Sequence, residues 1–180
     1  MKSKFATLSS LIILGCAPLT IAADASKPTV KPADTPAARV LAHMAGTWDE
    51  EVEFSDGRRV RGTTTGRFVL DGNWLETESD IAIDDKNRVL HLAVWGWDEK
   101  TSAFKGWMFS PTGSPLESTA SYDEKLNSFT STGKTANGAT VVAVTNFISA
   151  DRQEWNVKIT DKEGAEIKFK GVNTRKKEKE

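Results

Sequence analysis

Two histidines, one cysteine, six tryptophans and a scatter of carboxylates carry whatever chemistry this chain has. His91 lies in the run from Val89 to Trp97. There Val89, His91, Ala93, Trp95 and Trp97 share one face of an extended segment. On that face an imidazole could orient a ligand or move a proton near neutral pH. A hydrogen bond inside a strand is the plainer explanation. His43 falls near the end of a short helical stretch, where the helix dipole accounts for it. Trp74, Trp95, Trp97, Trp107 and Trp155 recur through the extended segments. Strand tryptophans either fill a core or wall an apolar cavity. The candidate ligand-binding set is therefore Trp74, His91, Trp95, Trp97 and Trp107.

The carboxylates are less promising. Glu76 and Glu78 lie two apart, with Asp80 next, and as a pair could serve as acid and base. The alternation assigns them instead to a solvated face, because Leu75, Ile81 and Ile83 take the opposite one. An enzyme built on His91 would need Glu76, Glu78 or Asp98 within hydrogen-bond reach of it. Asp84-Asp85-Lys86-Asn87 lacks the glycine and late glutamate of a calcium loop, and reads as a turn. Two distant histidines do not supply the ligands of a structural zinc site. Neither a Gly-x-Ser-x-Gly elbow nor a phosphate loop occurs. No catalytic residue, metal or cofactor is assigned. Arg58, Arg59, Arg61 and Arg67 could meet an anion, but Glu51 and Glu53 are their expected cross-strand partners. The net charge of −1 gives no reason to expect nucleic acid as a partner.

The elements that must position these residues follow in order. Residues 1–23 have the form of a secretory signal peptide. Lys2 and Lys4 precede the apolar run Phe5 to Leu14, Pro18 follows, and Ala22-Ala23 offers a small-residue cleavage site. The run is too short for a permanent transmembrane segment. An exported, periplasmic or secreted protein is expected. The alternative is lipid anchoring through Cys16, since Ile13-Leu14-Gly15-Cys16 approximates a lipobox. With the leader removed, the mature chain has no cysteine and no disulfide.

Residues 24–36, with Pro28, Pro32 and Pro36, predict an extended, solvated linker. Thr35-Pro36 can open a helix of about two turns, ending near Gly46, which must dock to persist. From Trp48 the period becomes two. The alternation predicts ten strands joined by hairpin-length turns, and residues 177–180 form a charged tail. With no room for crossover helices, the expected fold is all-β: an antiparallel up-and-down barrel with a short N-terminal helix. On the second strand Val60, Gly62, Thr64, Gly66, Phe68 and Leu70 are expected to share a face. A barrel of this size can hold one small ligand.

Three segments carry a resemblance to a family. They are Leu41-Ala42-His43-Met44-Ala45-Gly46-Thr47-Trp48, then Leu70-Asp71-Gly72-Asn73-Trp74-Leu75, then Trp95-Gly96-Trp97-Asp98 followed by Phe104 and Trp107. The chain resembles DUF1579, a bacterial family of unknown function, over a domain of residues 37–176. The opening Gly-x-Trp is similar to that of lipocalins and other calycins. The resemblance implies a calycin-like barrel and no particular activity. It also implies that Trp48 packs at the closed end with a basic residue, Arg175, across it. Nitrobindin-like barrels share the plan and bind haem through a late histidine, which this chain lacks. The function expected is non-enzymatic binding of a small apolar or amphipathic molecule inside the barrel. The alternative is a filled barrel serving as an envelope structural or protein-interaction module.

Overall fold

The computed structural model describes residues 30–84, 87–111 and 113–177. The expected leader, the first part of the linker, the middle of the turn at 84–87, part of the loop at 111–115 and the last three residues lie outside these. One helix, α1 (Pro36–Ala42), precedes ten strands. These are β1 (Gly46–Phe54), β2 (Arg59–Val69), β3 (Trp74–Ala82), β4 (Arg88–Asp98), β5 (Ala103–Phe109), β6 (Leu116–Asp123), β7 (Ser128–Lys134), β8 (Thr140–Ser149), β9 (Arg152–Thr160) and β10 (Glu166–Arg175). Each strand pairs antiparallel with the next, and β10 returns to β1, so the sheet closes into a barrel. The closing seam runs from Trp48↔Arg175 to Phe54↔Phe169. Closure leaves no unpaired edge.

Local chemistry explains the hairpins. At four turns an aspartate side chain accepts from the backbone N–H two residues on: Asp56 from Arg58, Asp98 from Lys100, Asp123 from Lys125 and Asp161 from Glu163. Such Asx turns reverse a chain without help from the core. The helix starts as its sequence requires. Thr35 Oγ1 accepts from the Ala38 N–H, and Pro36 occupies the first turn.

The helix closes one barrel end. Ala38 and Leu41 are buried on Phe68, Leu75, Phe104, Ala120, Phe129 and Phe147. This apolar plug is the main core, and it occupies only the end beneath α1. Two expectations need correcting here. The linker does not stay solvated throughout: Val30 bridges Phe68, and Ala33 donates from its N–H to the Gly72 carbonyl. Leu70 leaves the inner face of β2, because its φ of 49° opens a 3-10 turn and leaves it 69% exposed.

At the plugged end the Arg175 guanidinium stacks 4.1 Å from the Trp48 ring centroid. It also donates to the carbonyls of Ala45 and Ala150. Gly46 sits beneath it with φ +106°, and a Cβ there would fall 2.2 Å from the guanidinium nitrogen. The Gly-x-Trp motif is thus a socket for Arg175.

Candidate functional site

Strand register decides which side chains enter the barrel. Residues directly opposite in a ladder share a face. Trp48, Glu50 and Val52 point inward on β1, and Val60, Thr64 and Phe68 on β2. Their partners carry the face round: Leu75, Thr77, Ser79 and Ile81 on β3, then Val89, His91, Ala93 and Trp95 on β4. Beneath the apolar plug the inward positions turn small and polar. They include Thr77, Ala93, Gly106, Ser118, Ser131, Gly133, Ala143 and Gly171. Thr77, His91, Ala93, Ser131, Ala143 and Thr145 face inward yet keep partial contact with solvent.

The five candidate ligand-binding residues do not converge. His91, Trp95 and Trp97 face inward, as their shared parity requires. Trp95 stands edge-on to Phe129 at 5.3 Å and lies against Gly106, where a Cβ would come within 2.4 Å of its ring. Trp97 lies at the rim, edge-on to Phe104 at 5.0 Å and 40% exposed. Trp74 and Trp107 lie on the outer face, which corrects their assignment to a cavity wall within the barrel. Trp74 pairs with Gly96 and Trp107 with Val94, both outward positions, and the two indoles pack together at 5.9 Å. A rim cavity of about 600 Å³ opens between α1 and the ends of β4–β6. Ala37, Val40, Trp97, Phe104 and Tyr122 line it, and Trp74 reaches its edge.

The carboxylates named in the enzyme hypothesis do not meet His91. Glu76 and Glu78 point outward and accept from Arg67. Asp98 accepts from the Thr101 hydroxyl in a turn, which holds its carboxyl below the usual range. Arg59 and Arg61 pair with Glu53 and Glu51 as the cross-strand reading expects. Among the described residues no group of three or more His, Cys, Asp or Glu is placed to hold a metal ion.

The interior carboxylate is Glu50, which the site reading missed. It is 7% exposed. Its Oε2 accepts from the Thr64 hydroxyl at 2.6 Å, and Thr64 shares a hydrogen bond of 2.8 Å with Ser79. Ser79 pairs with His91 across β3 and β4. A polar row thus crosses four adjacent strands: Glu50, Thr64, Ser79, His91. Burial pushes the Glu50 carboxyl above its ordinary value, and the Thr64 hydroxyl pulls the other way. Burial lowers His91. On the other side of Glu50, Asn173 Oδ1 accepts from the Trp155 indole N–H at 3.0 Å, and Gln153 Nε2 donates to the His43 carbonyl. The signal for Glu50 was present: it falls in phase with Trp48 and Val52.

His43 caps α1 and stacks on Phe147 at 4.7 Å, so ring packing as well as the helix end holds it.

Three solved structures are similar to this chain, and the first of them supports the fold. An S-type phycobiliprotein lyase from Guillardia theta matches with TM-score 0.56 and 13% identity, covering 78% of this chain and 93% of its own. A redesigned β-barrel bound to DFHBI matches with TM-score 0.44 and 14% identity, covering 74% of this chain and 99% of its own. A de novo designed fluorescence-activating β-barrel matches with TM-score 0.42 and 17% identity, covering 76% and 97%. No curated protein matches this chain. The family model described as protein of unknown function DUF1579 matches residues 34–176, and the chain belongs to that family.

Proposed function

We propose that this protein binds one small apolar or amphipathic molecule in the barrel lumen, without catalysing a reaction. The observation that carries the reading is the partial exposure of small side chains that face the barrel interior. Midway along the strands the inward side chains are small, and Thr77, His91, Ala93, Ser131, Ala143 and Thr145 remain solvent-accessible although they face inward. A core filled to normal density would bury them. The flat faces of Trp95 and Trp155, each set against a glycine, supply apolar wall. A concave, mainly apolar space with a few placed polar groups is the usual form of a small-molecule site.

We further propose that the chain is exported, on the basic, apolar and small-residue regions of residues 1–23. Lipidation at Cys16 is the alternative route. Among the described residues no helix is long and apolar enough to cross a membrane.

Native mass spectrometry of the protein purified from its own host's envelope, with a denatured control, tests both readings. A small organic mass lost on denaturation is the expected result. A bare protein mass that persists after lipid extracts are added would overturn lumen binding and favour the interaction-module reading. The intact mass separates cleavage near Ala23 from a diacylated Cys16.

A further inference from the structure

The lumen's charge points to the class of ligand. On the inner face of the described strands the ionisable side chains are Glu50, His91, Tyr122 and Arg175. Arg175 is committed to Trp48 and two backbone carbonyls at the plugged end. The Tyr122 hydroxyl donates to Asn127 at that same end. His91 is held towards its neutral form by burial. The other charges of β1, β2 and β10 lie outside and are paired there: Glu51 with Arg61, Glu53 with Arg59 and Lys170, Asp49 with Lys176 and Arg67 with Glu76 and Glu78. Among the described residues, therefore, Glu50 faces the barrel interior with no cation opposite it. Its only hydrogen bond among the described residues comes from Thr64. No buried side-chain nitrogen or oxygen among the described residues lacks a hydrogen-bond partner, so the second oxygen of Glu50 keeps some contact with solvent. A carboxylate removed from water without a counter-charge is unfavourable, and a cationic ligand would supply that charge.

We infer that the lumen takes an amphipathic amine: its ammonium group donates to Glu50, and its apolar part lies along the inward indole faces of Trp155 and Trp95. This rests on the lumen-binding reading above. The aliphatic part adds burial, and the charged hydrogen bond adds selection of the head group.

The test displaces a neutral dye, N-phenylnaphthylamine, from the leaderless protein with three probes of one chain length: dodecylammonium, dodecanol and dodecanoate, all below their micelle concentrations. Near neutral pH the ammonium is expected to bind about tenfold or more tightly than the alcohol, with the carboxylate weakest. In Glu50→Gln, checked for native circular dichroism, the ammonium-to-alcohol ratio falls to about one. A second measurement needs no change at Glu50. The wild-type preference declines as pH falls through the raised Glu50 pKa, because the amine stays charged while the carboxylate is neutralised. That decline persists in His91→Gln, so His91 is not its source. Dye binding with equal or stronger displacement by dodecanol or dodecanoate would overturn the amine inference and leave lumen binding intact. Failure to bind the dye or any probe would overturn both.

Discussion

Glu50 is a carboxylate 7% exposed, in an environment its type avoids. Its folded pKa is raised by burial. The native state therefore holds a proton more firmly than the unfolded chain does, and this contribution to stability grows as pH falls through the native pKa towards the ordinary glutamate value. His91 acts in the opposite sense, because its folded pKa is lowered and stability is lost as the unfolded histidine protonates. Comparing wild type with Glu50→Gln cancels the histidine. The variant is expected to be more stable by about 1 kcal/mol near neutral pH, with the gap closing in acid. Urea unfolding across a pH series measures this; a gap that widens in acid would refute it. At the other end, Arg175→Ala removes a cation–π contact and two carbonyl bonds. It should destabilise by roughly 2 kcal/mol. An unchanged urea midpoint would show that Arg175 is an ornament of the seam.

The helix and the glycines act at the next scale. Seven residues of helix cannot stand alone in water. α1 persists because Leu41, fully buried, and Ala38 enter the plug formed by Phe68, Leu75, Phe104, Phe129 and Phe147. Leu41→Ala should cost about 3 kcal/mol, and Thr35→Ala, which removes the N-cap, about 1 kcal/mol. Thermal melts compare the two; equal losses would mean the helix is held by its cap rather than its packing. The start of α1 was legible in Thr35-Pro36, as were the strand boundaries in the period-two pattern and its aspartate turns. Leu70 was misplaced because a side chain's apolarity cannot report a positive φ. Only the Val69-to-Asn73 turn, closing β2 onto β3, imposes it.

For the whole molecule, closure is the governing fact. Ten antiparallel strands leave no edge only because β10 pairs with β1. Truncation after Asp161, which deletes β10, would expose two long edges. Size-exclusion chromatography should show aggregates in place of a monomeric peak. The same closure encloses the interior in which binding is proposed. Ala93→Trp, placed on the inner face of β4, should abolish N-phenylnaphthylamine binding while the far-ultraviolet circular dichroism stays native. Retained binding would place the ligand elsewhere, the rim cavity beside Trp97 being the next location to test.

The amino-acid sequence by itself determined the strand number, the hairpin order, the helix start and the family, because these depend on period, turn residues and short motifs. It also contained the parity that separates Trp74 and Trp107 from Trp95 and Trp97. Glu76 and Glu78 share the parity of Trp74, so their outward reading already implied an outward Trp74. Tertiary structure alone decided that Glu50, Thr64, Ser79 and His91 fall in one row across four strands, that Arg175 finds Trp48, and that small inward side chains at mid-barrel keep contact with solvent. Those facts depend on which strands lie side by side after closure and on the volume left between opposite walls. No local pattern encodes that volume, because it is a property of the whole ring of strands at once.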